Sequence, residues 1–381
     1  MHDVIVVGLG AMGSAAASHL ARRGVRVLGL EAFPRGHALG SSHGESRVIR
    51  LAYWEHSNYV PLLRRAYALW HELEAASGEQ LLIQTGGLFI GARDSMLVQR
   101  TLDSVRAHSL PHQMLDADDL RREHPLLRPR ESDVAIYEDP AGLLLPERCV
   151  EAHARLAENN GAQLRYAEPV LDWNADGTGV SVTTSSEKYS AVRLVITAGA
   201  WLGQIVKLDL PLRPERVPMF WLEPSAPIEA FAPERFPVWL WDTGEPGLFY
   251  GFPHLSWPGV KLARHHSGVP CDPDTLQREI QPADEAPIRS FVSNYLPGLD
   301  GPVVHARACM YTNTPDEHFV VDRHPGFANV TYAGGFSGHG FKFSSVIGEI
   351  LADLTLAGQA MPEAEFLRAS RFAHVVLPII P

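Results

Sequence analysis

Three glycines near the start of the chain have the spacing of a dinucleotide-binding turn. The segment GLGAMG places Gly8, Gly10 and Gly13 directly after the apolar run DVIVV and before a stretch of small residues. The first glycine permits a tight turn, the second lets the backbone approach a pyrophosphate, and the third allows close helix packing. Glu31 ends the next apolar run and can accept hydrogen bonds from ribose hydroxyls. The combination predicts a dinucleotide site, against the alternative of a glycine-rich turn without a ligand.

Basic residues occur in two further segments that could carry chemistry. Arg47 and Arg50 lie three positions apart in RVIR, a spacing that suits an anion site or surface ion pairs. In GVKLARHH, strand alternation places Lys261 and His265 on one face, with aliphatic side chains on the other. The alternative for this segment is an edge strand protected by charges. The residues alone leave both alternatives open.

The cysteines and histidines show no metal-binding or disulfide pattern. Cys149, Cys271 and Cys309 are widely spaced and form no CxxC pair, which excludes a disulfide framework and a cysteine-rich zinc site. A lone cysteine in an apolar strand is most often an inert core residue. The histidines show no ligand spacing, so we expect no metal.

The composition limits the classes of partner. A formal net charge of −11 argues against nucleic acid or an anionic membrane as the main partner. No stretch approaches the roughly 20 apolar residues of a membrane span, the apolar start lacks a basic region, and the end, LPIIP, matches no targeting signal. We expect a cytoplasmic protein that binds small molecules, and a monomer.

The elements that must position these residues begin with a βαβ unit. Residues 3–7 and 25–30 are predicted strands, and the helix between them starts at Ala11 and is closed by Gly24. Far along the chain, RLVITAGAW and NVTYAGG read as further buried strands. After the second of these, a helix is predicted whose apolar face comprises Val346, Ile347, Ile350, Leu351 and Leu354.

The middle of the chain has a different pattern. LIQTGGLFIG, PERVPMFWLE, FPVWLW, GLFYGFP and GVKLARHH alternate like strands of a mostly antiparallel sheet. We predict an α/β fold in which a Rossmann-type FAD-binding domain carries an inserted α+β substrate domain built on an antiparallel sheet. The predicted bounds are 1–83, 145–210 and 305–381 for the first domain, and 84–144 and 211–304 for the second. A single dinucleotide unit and the return of the chain through GFSGHGFK into a helix N-terminus favour FAD over NAD.

Several longer segments resemble one enzyme family. SSHGESRVIRLAY, YGFP, KLARHH, ACMYTNTPDEHFVVD and GFSGHGFKFSSVIGE are similar, in this order, to the monomeric sarcosine oxidase and N-methyltryptophan oxidase family. The resemblance implies an FAD attached through a cysteine thioether. It also implies oxidation of a secondary amine to an imine, which hydrolyses, with dioxygen as the acceptor and hydrogen peroxide as a product.

The resemblance also implies roles for individual residues. Cys309 matches the flavin-linking cysteine, and Arg50 and Lys342 match the pair that holds the substrate carboxylate. Tyr250 and His265 match residues on the substrate side of the flavin. Lys261 matches the lysine where oxygen is activated, and Arg47 and His43 match residues close to the flavin ring. The expected catalytic residues are therefore Lys261, His265, Tyr250 and Arg47. Expected cofactor contacts are Gly8, Gly10, Ala11, Met12, Gly13, Glu31, Ser42, His43, Arg47, Val170, Ala198, Gly199, Trp201, Cys309, Gly338, Gly340, Phe341 and Lys342.

Two segments depart from the family pattern. SHGESR stands where the family usually has HHGDTR, so Ser42, Glu45 and Ser46 are replacements. FPVWLW is expected to place two tryptophans at the pocket wall, which leaves the substrate open between sarcosine, N-methyltryptophan and cyclic imino acids. Two rival functions are a flavin dehydrogenase that uses another electron acceptor and a flavin-binding protein without turnover.

Overall fold

The computed structural model describes residues 2–245 and 247–372; the C-terminal LPIIP lies outside these ranges. The described strands are β1 (His2–Val7), β2 (Val27–Leu30), β3 (Arg47–Ile49), β4 (Leu82–Gln84), β5 (Gly87–Ala92), β6 (Gln113–Leu115), β7 (Asp133–Glu138), β8 (Gly142–Leu144), β9 (Gln163–Arg165), β10 (Val170–Ala175), β11 (Val180–Thr184), β12 (Lys188–Ile196), β13 (Arg213–Leu222), β14 (Val238–Asp242), β15 (Leu248–Gly251), β16 (Val260–His265), β17 (Val269–Pro270), β18 (Val303–Asn313), β19 (Val320–Arg323) and β20 (Val330–Gly334). The helices are α1 (Ala11–Arg22), α2 (Tyr59–Ser77), α3 (Met96–His108), α4 (Ala117–Glu123), α5 (Pro146–Asn159), α6 (Leu202–Ile205), α7 (Pro282–Tyr295) and α8 (Ser344–Ala357).

The first sheet has a parallel centre built from distant parts of the chain. β1 lies between β2 and β12 and is parallel to both, while β20 pairs in parallel with β12 and β9 with β2. The hairpin β10–β11 and the strand β19 extend it in antiparallel fashion. This arrangement confirms the predicted βαβ unit and the two later strands that join it.

Helix α1 is the centre of the helical layer on this sheet. All its residues except Arg22 are buried, because small side chains let it lie close to β1 and to α5 and α8. Gly348 of α8 illustrates how close the helices are, since a Cβ there would lie 2.6 Å from the backbone of Ala15. The helix ends as predicted, with Gly24 in the left-handed region at φ +78°.

The second sheet is mostly antiparallel, in the order β17-β13-β16-β15-β14-β5-β7-β6, with only β14 and β5 parallel. One face packs on α7 and forms a core that includes Trp239, Trp241, Phe249 and Phe291. The other face looks toward the first sheet. The predicted α/β fold with an inserted antiparallel sheet is therefore confirmed.

Strand β18 pairs with β13 along its whole length, from Val303 to Asn313. The predicted domain boundary at residue 305 falls inside this strand, so Cys309 is carried by the second sheet. A small third sheet has the strand order β3-β8-β4. Among the described residues, no helix has the length and apolar character needed to cross a bilayer.

Candidate active site

The glycine turn after β1 leaves room for a ligand where side chains would otherwise stand. Gly8 has a φ of +86°, and a Cβ on Gly13 would lie 1.7 Å from the carbonyl oxygen of Gly8. Helix α1 begins at this turn without a side-chain cap. Apart from the N–H of Ala11, which donates to the Ser42 hydroxyl, its first turn and positive end face an open space that suits an anion. The backbone, rather than any side chain, forms this part of the site.

Glu31 lies beside the turn at the end of β2. One carboxylate oxygen accepts the N–H of Leu9 at 2.7 Å and the other accepts the N–H of Phe33 at 3.1 Å. Each oxygen keeps a further lone pair for a ribose hydroxyl. Ser42 closes the other side, since its hydroxyl accepts the N–H of Ala11 at 3.2 Å. The residues present fit the adenosine and pyrophosphate of FAD.

A cavity of about 1030 Å³ extends from this turn to the interface of the two large sheets. Glu31 and Gly10 line it on the nucleotide side, and Arg50, Cys309 and Lys342 line it on the other. Its volume lies at the upper end of the range of about 300–1,000 Å³ for ligand sites. A long ligand such as a dinucleotide is therefore expected to share it with a small substrate.

Arg50 is the most buried cation of the cavity, with 1% of its surface exposed. It follows β3 directly and donates to the carbonyl of Ala52 at 2.6 Å and to the carboxylate of Glu55 at 2.5 Å. Burial opposes ionisation of Glu55, but Arg50 and the neighbouring His339 and Lys342 outweigh it and lower its pKa. The guanidinium thus has one carboxylate partner already in the site.

Lys342 lies in the short 3₁₀ turn before α8 and converges on the same place. Its ammonium donates to the carbonyl of His339 at 2.8 Å and lies 3.5 Å from the hydroxyl of Tyr53. The ring of Tyr53 is shared, because the Arg50 guanidinium stacks over it at 4.2 Å and the Lys342 ammonium lies 5.2 Å from its centroid. Burial and the nearby Arg50 lower the pKa of Lys342 to about 7.

Three rings from neighbouring strands form the adjacent wall. His265 ends β16, and its Nδ1 lies 3.2 Å from the hydroxyl of Tyr311 on β18. Tyr250 on β15 lies edge-on to His265, with 6.3 Å between the ring centroids. Burial lowers the pKa of His265 well below its usual value and raises those of Tyr250 and Tyr311. All three rings are therefore uncharged at neutral pH.

Cys309 and Arg47 meet near the middle of the cavity. The thiol of Cys309 lies 3.8 Å from the Arg47 guanidinium and 3.8 Å from the carbonyl of Ser41. Arg47 in turn holds the preceding loop by donating to the carbonyls of Ser41 and His43, at 2.9 and 2.5 Å. Both residues line the cavity.

His43 is buried behind the cavity wall, and the two nitrogens of its ring make no hydrogen bonds within the described residues. Burial, then the charges of Arg47 and Arg307, lower its pKa to about 3. Such orphaned polar atoms are rare in proteins.

Lys261 shares the face of β16 with His265, as predicted, but it does not line the cavity. Its ammonium donates to the carbonyls of Gly44 and Ser46 at 2.5 and 2.8 Å, and to the Ser46 hydroxyl at 3.2 Å. Burial, followed by the charge of Arg47, lowers its pKa well below the usual value. Lys261 thus fastens the loop that carries His43 and Arg47.

With three exceptions, every predicted site residue lines the cavity. The exceptions are Gly13, which packs against the turn, and His43 and Lys261, which lie behind the wall. Within the described ranges, no group of three or more histidine, cysteine or acidic residues is arranged to hold a metal.

The prediction that two tryptophans stand at the pocket wall is wrong. Trp239 and Trp241 point into the core under α7, where both are buried. Leu240, between them on β14, lines the cavity instead. Strand alternation predicts that the two tryptophans share a face, but it does not say which face meets the ligand. The wall at this strand is therefore aliphatic.

Sequence reasoning missed Glu55, Tyr311 and His339. Glu55 could have been found only if Arg50, five residues earlier, had been expected to be buried, because a buried arginine needs a counterion. Tyr311 could also have been found, because it shares a strand face with Cys309 two residues before it. His339 is held by Tyr53, whose hydroxyl lies 2.6 Å from Nδ1, and no spacing in the sequence indicates that contact.

Comparisons with known proteins agree with this geometry. The model of the family described as FAD dependent oxidoreductase (DAO) matches residues 3–354. The chain is 46% identical to a monomeric sarcosine oxidase of Streptomyces avermitilis, over 94% of each chain. It is 34% identical to an N-methyl-L-tryptophan oxidase of Salmonella newport, over 98% of this chain and all of the relative. A solved structure of NikD, an unusual amino acid oxidase, has a TM-score of 0.86 over 96% of this chain and 97% of its own, at 24% identity. That last likeness concerns the fold alone.

Proposed function

Because the chain belongs to the FAD-dependent oxidoreductase family, in the group of the sarcosine and N-methyltryptophan oxidases, we propose that it oxidises small N-methyl amino acids such as sarcosine. The observation that carries the proposal is the convergence of Arg50 and Lys342 on one end of the cavity. Two cations beside three uncharged rings suit a small carboxylate with an amine attached. Dioxygen is the proposed electron acceptor.

The carboxylate of the substrate is held by Arg50 and Lys342. Arginine grips a carboxylate through two parallel hydrogen bonds, while lysine acts as a point charge. Arg50 is already paired with Glu55, so an incoming carboxylate shares or replaces that contact. Because Glu55 and the substrate carboxylate compete for Arg50, substrate binding depends on a second cation, which Lys342 supplies.

The amine must reach the site with a free lone pair. Positive charge from Arg50 and Lys342 disfavours the ammonium form of a nearby amine and so favours the neutral form. The uncharged ring of His265 adds no further cation and can accept a proton or hydrogen bond from the amine side. When bound, FAD supplies the two-electron acceptor that turns the amine into an imine and passes the electrons to dioxygen.

Covalent attachment of the FAD through Cys309 is part of the proposal. In its support, the thiol lies on the cavity wall between the two sheets, beside Arg47. After acid precipitation the yellow colour should stay with the protein, and the intact mass should exceed that of the polypeptide by one FAD. Cys309→Ala should bind FAD without a covalent bond, and Cys149→Ala, which alters a buried thiol away from the cavity, should keep it. Free flavin released from the unaltered protein would contradict attachment.

Lys261 is proposed to support the reaction with dioxygen from behind the cavity wall. Reduction of dioxygen develops negative charge, and a nearby ammonium stabilises it most strongly where water is excluded. Lys261 is 1% exposed, and the loop it fastens carries Arg47. Its second effect is therefore to hold Arg47 and His43 in place. Arg47 is proposed to supply positive charge beside the flavin ring from the same loop.

One experiment separates this function from its rivals. Sarcosine, N-methyltryptophan, pipecolate and proline are offered in air and under nitrogen, with peroxide and flavin bleaching measured. We expect peroxide in air and the highest kcat/KM with sarcosine. Bleaching without peroxide in air would indicate a dehydrogenase, and no bleaching with any of the four would refute amine oxidation. A monomeric state and a cytoplasmic location are proposed with this function; light scattering on the purified protein tests the first, and fractionation of the source cells tests the second.

A further inference from the structure

Two consecutive histidines at the end of β16 pack ring against ring. Successive side chains of a regular strand point to opposite faces, yet the rings of His265 and His266 have centroids 4.2 Å apart at an angle of 61°. The contact exists because His266 has a φ of +58° and turns its ring back toward the site. A non-glycine residue persists in this conformation only where its surroundings hold it.

The group that holds His266 is the carboxylate of Glu215. This residue lies on β13, is buried, and accepts from His266 Nδ1 at 2.9 Å. It also accepts from the N–H of Gly268 at 2.7 Å and the amide of Asn313 at 2.6 Å. Burial opposes ionisation of Glu215, but these hydrogen bonds outweigh it and lower its pKa to about 2. An ionised carboxylate only accepts, so Nδ1 of His266 carries a hydrogen.

The pair stands next to the substrate wall. Glu215 lies directly opposite Tyr311 in the register of β13 and β18. Tyr311 contacts both histidines, through a hydroxyl 3.2 Å from His265 Nδ1 and through a ring centroid 5.3 Å from that of His266. His266 is partly exposed, with 28% of its side chain open to solvent, whereas His265 is at the cavity wall. A continuous chain of contacts therefore leads from Glu215 to the substrate site.

We propose that Glu215 and His266 are a positioning pair, which fixes the ring of His265 at the substrate site and keeps that ring uncharged. The proposal rests on the proposed function, because an uncharged His265 matters where an amine must shed a proton. His266 contacts both the Glu215 carboxylate and the ring of His265. A positive charge on His266 therefore acts on His265 at shorter range than the negative charge of Glu215.

The electrostatic surroundings of His265 agree with this geometry. Burial is the largest cause of its lowered pKa, and the charge of His266 comes next, ahead of His339 and Lys342. The titratable or charged groups around His265 are His266 beside it in the chain, Tyr250 and Tyr311 on neighbouring strands, and Arg50, His339 and Lys342 at the carboxylate end. Removing His266 should therefore let His265 accept a proton at higher pH.

The test compares His266→Gln and Glu215→Gln with the unaltered holoenzyme. Glutamine at 266 retains an N–H for Glu215 but cannot carry charge. His71→Gln is the matched control, because His71 makes a similar bond to Glu74, at 3.1 Å, on the exposed surface of α2. The first measurement is the rate of anaerobic flavin bleaching by sarcosine as a function of pH. The second is the nitrogen NMR spectrum of histidine-labelled protein, with the His265 signals assigned by their loss in His265→Asn.

We expect bleaching by both variants to slow by at least about threefold at neutral pH. The acid side of the pH profile of His266→Gln should move to higher pH, with the His265 nitrogens titrating at higher pH, because the positive charge beside that ring is removed. His71→Gln should match the unaltered enzyme. Slower bleaching with an unchanged profile and unchanged His265 signals would overturn the proposal, and so would no change at all. Should Glu215→Gln fail to fold, since Glu215 also accepts from Gly268 and Asn313, His266→Gln decides alone. If no amine bleaches the unaltered enzyme, the proposed function fails, and the NMR titration still decides the role of the pair.

Discussion

The two ends of the cavity are lined by different kinds of group: backbone atoms at one end and side chains at the other. At the proposed nucleotide end, the cavity is lined by backbone atoms of one short segment, Gly8 to Met12, and by the carboxylate of Glu31. At the substrate end, the lining groups are side chains from separate elements. These are Arg50 after β3, Tyr250 on β15, His265 on β16, Tyr311 on β18 and Lys342 before α8.

This difference determines how each end can fail. A backbone site fails when any atom is added, because the space itself is the binding element. A side-chain site fails when a charge loses its partner, since a buried cation without an anion is costly. Ligand binding at the nucleotide end should therefore be sensitive to added side-chain volume and insensitive to pH near neutrality. Binding at the substrate end should depend on charge, and therefore on pH.

Adding one methyl group to the nucleotide turn should have the largest effect. In Gly13→Ala the new Cβ would lie 1.7 Å from the Gly8 carbonyl oxygen, whereas in Gly10→Ala its nearest neighbour is the Ser42 hydroxyl at 3.5 Å. Overpacking usually costs about 1–3 kcal/mol of the free energy of unfolding, and a contact this short with backbone belongs at the upper end or beyond. We expect Gly13→Ala to unfold at a much lower temperature and to acquire no flavin. Gly10→Ala should keep the thermal stability of the flavin-free protein but bind flavin more weakly, because its Cβ enters the cavity. Equal melting temperatures would show that the turn is not packed as described.

Removing the guanidinium at the substrate end should have the next largest effect. Loss of one partner from a buried charge pair costs about 2–5 kcal/mol, so Arg50→Ala should lower kcat/KM for sarcosine by well over tenfold. Dimethylamine, which lacks the carboxylate, should react equally with both proteins. Arg65→Ala, which breaks a surface pair with Glu349, is the control and should change neither. If both substrates lose activity equally in Arg50→Ala, then Arg50 has a structural role in pairing with Glu55.

The same difference explains how much of the molecule could be predicted. The glycine turn and Glu31 lie within 31 residues of the start, and local spacing is sufficient because each glycine has its own steric reason. Part of both sheets could be predicted from apolar runs and alternation: β1, β2, β12 and β20 of the first sheet, and β5, β13, β14, β15 and β16 of the second. The strands β6, β7, β9, β10, β11, β17, β18 and β19 were not predicted.

The substrate end was predictable only through the family resemblance. No local pattern brings Arg50 to Lys342, since 292 positions separate them and only tertiary packing of β3 against the turn before α8 joins them. The same limit produced the error at β14, where alternation could not tell that Leu240, rather than the tryptophans beside it, meets the cavity. To decide which face of β14 meets the cavity, one must know that α7 packs on the opposite face, and this is a feature of the tertiary structure.

Lys261 lies at neither end of the cavity, and its substitution should have a smaller effect. Lys261→Met keeps the length of the side chain and removes its charge, and we expect reoxidation by dioxygen to slow by at least about tenfold, or about 1.4 kcal/mol. Anaerobic bleaching should change much less, because it develops no charge on oxygen. The two rates are measured separately by stopped flow. Because the ammonium also fastens Gly44 and Ser46, a collapse of bleaching with normal reoxidation would assign Lys261 to positioning the loop instead.

The smallest effect concerns pH and should distinguish the two ends of the cavity most directly. Lys342 has a pKa lowered to about 7, by burial first and by Arg50 second, so it is charged below that pH and neutral above it. A bound carboxylate favours the charged form, so affinity for a carboxylate should be full below pH 7 and fall as pH rises, by at most about tenfold per pH unit. The ligand for this test is methylthioacetate, in which sulfur replaces the amine nitrogen, so that its carboxylate is its only titrating group.

Binding of methylthioacetate is followed by the change in flavin absorbance between pH 6 and pH 9, values chosen on either side of the pKa of about 7. The dissociation constant should rise with pH in the unaltered protein and in Lys188→Gln, which alters an exposed lysine. Lys342→Gln should bind more weakly at pH 6 and show a flat profile, because no cation is left to titrate near neutrality. Retention of FAD, measured in the same three proteins with Cys309→Ala added so that the flavin is not covalently attached, should not vary with pH, since backbone groups and Glu31 contact it. A flat profile in the unaltered protein would mean that Lys342 keeps its proton throughout, and that both cations of the substrate end are permanently charged.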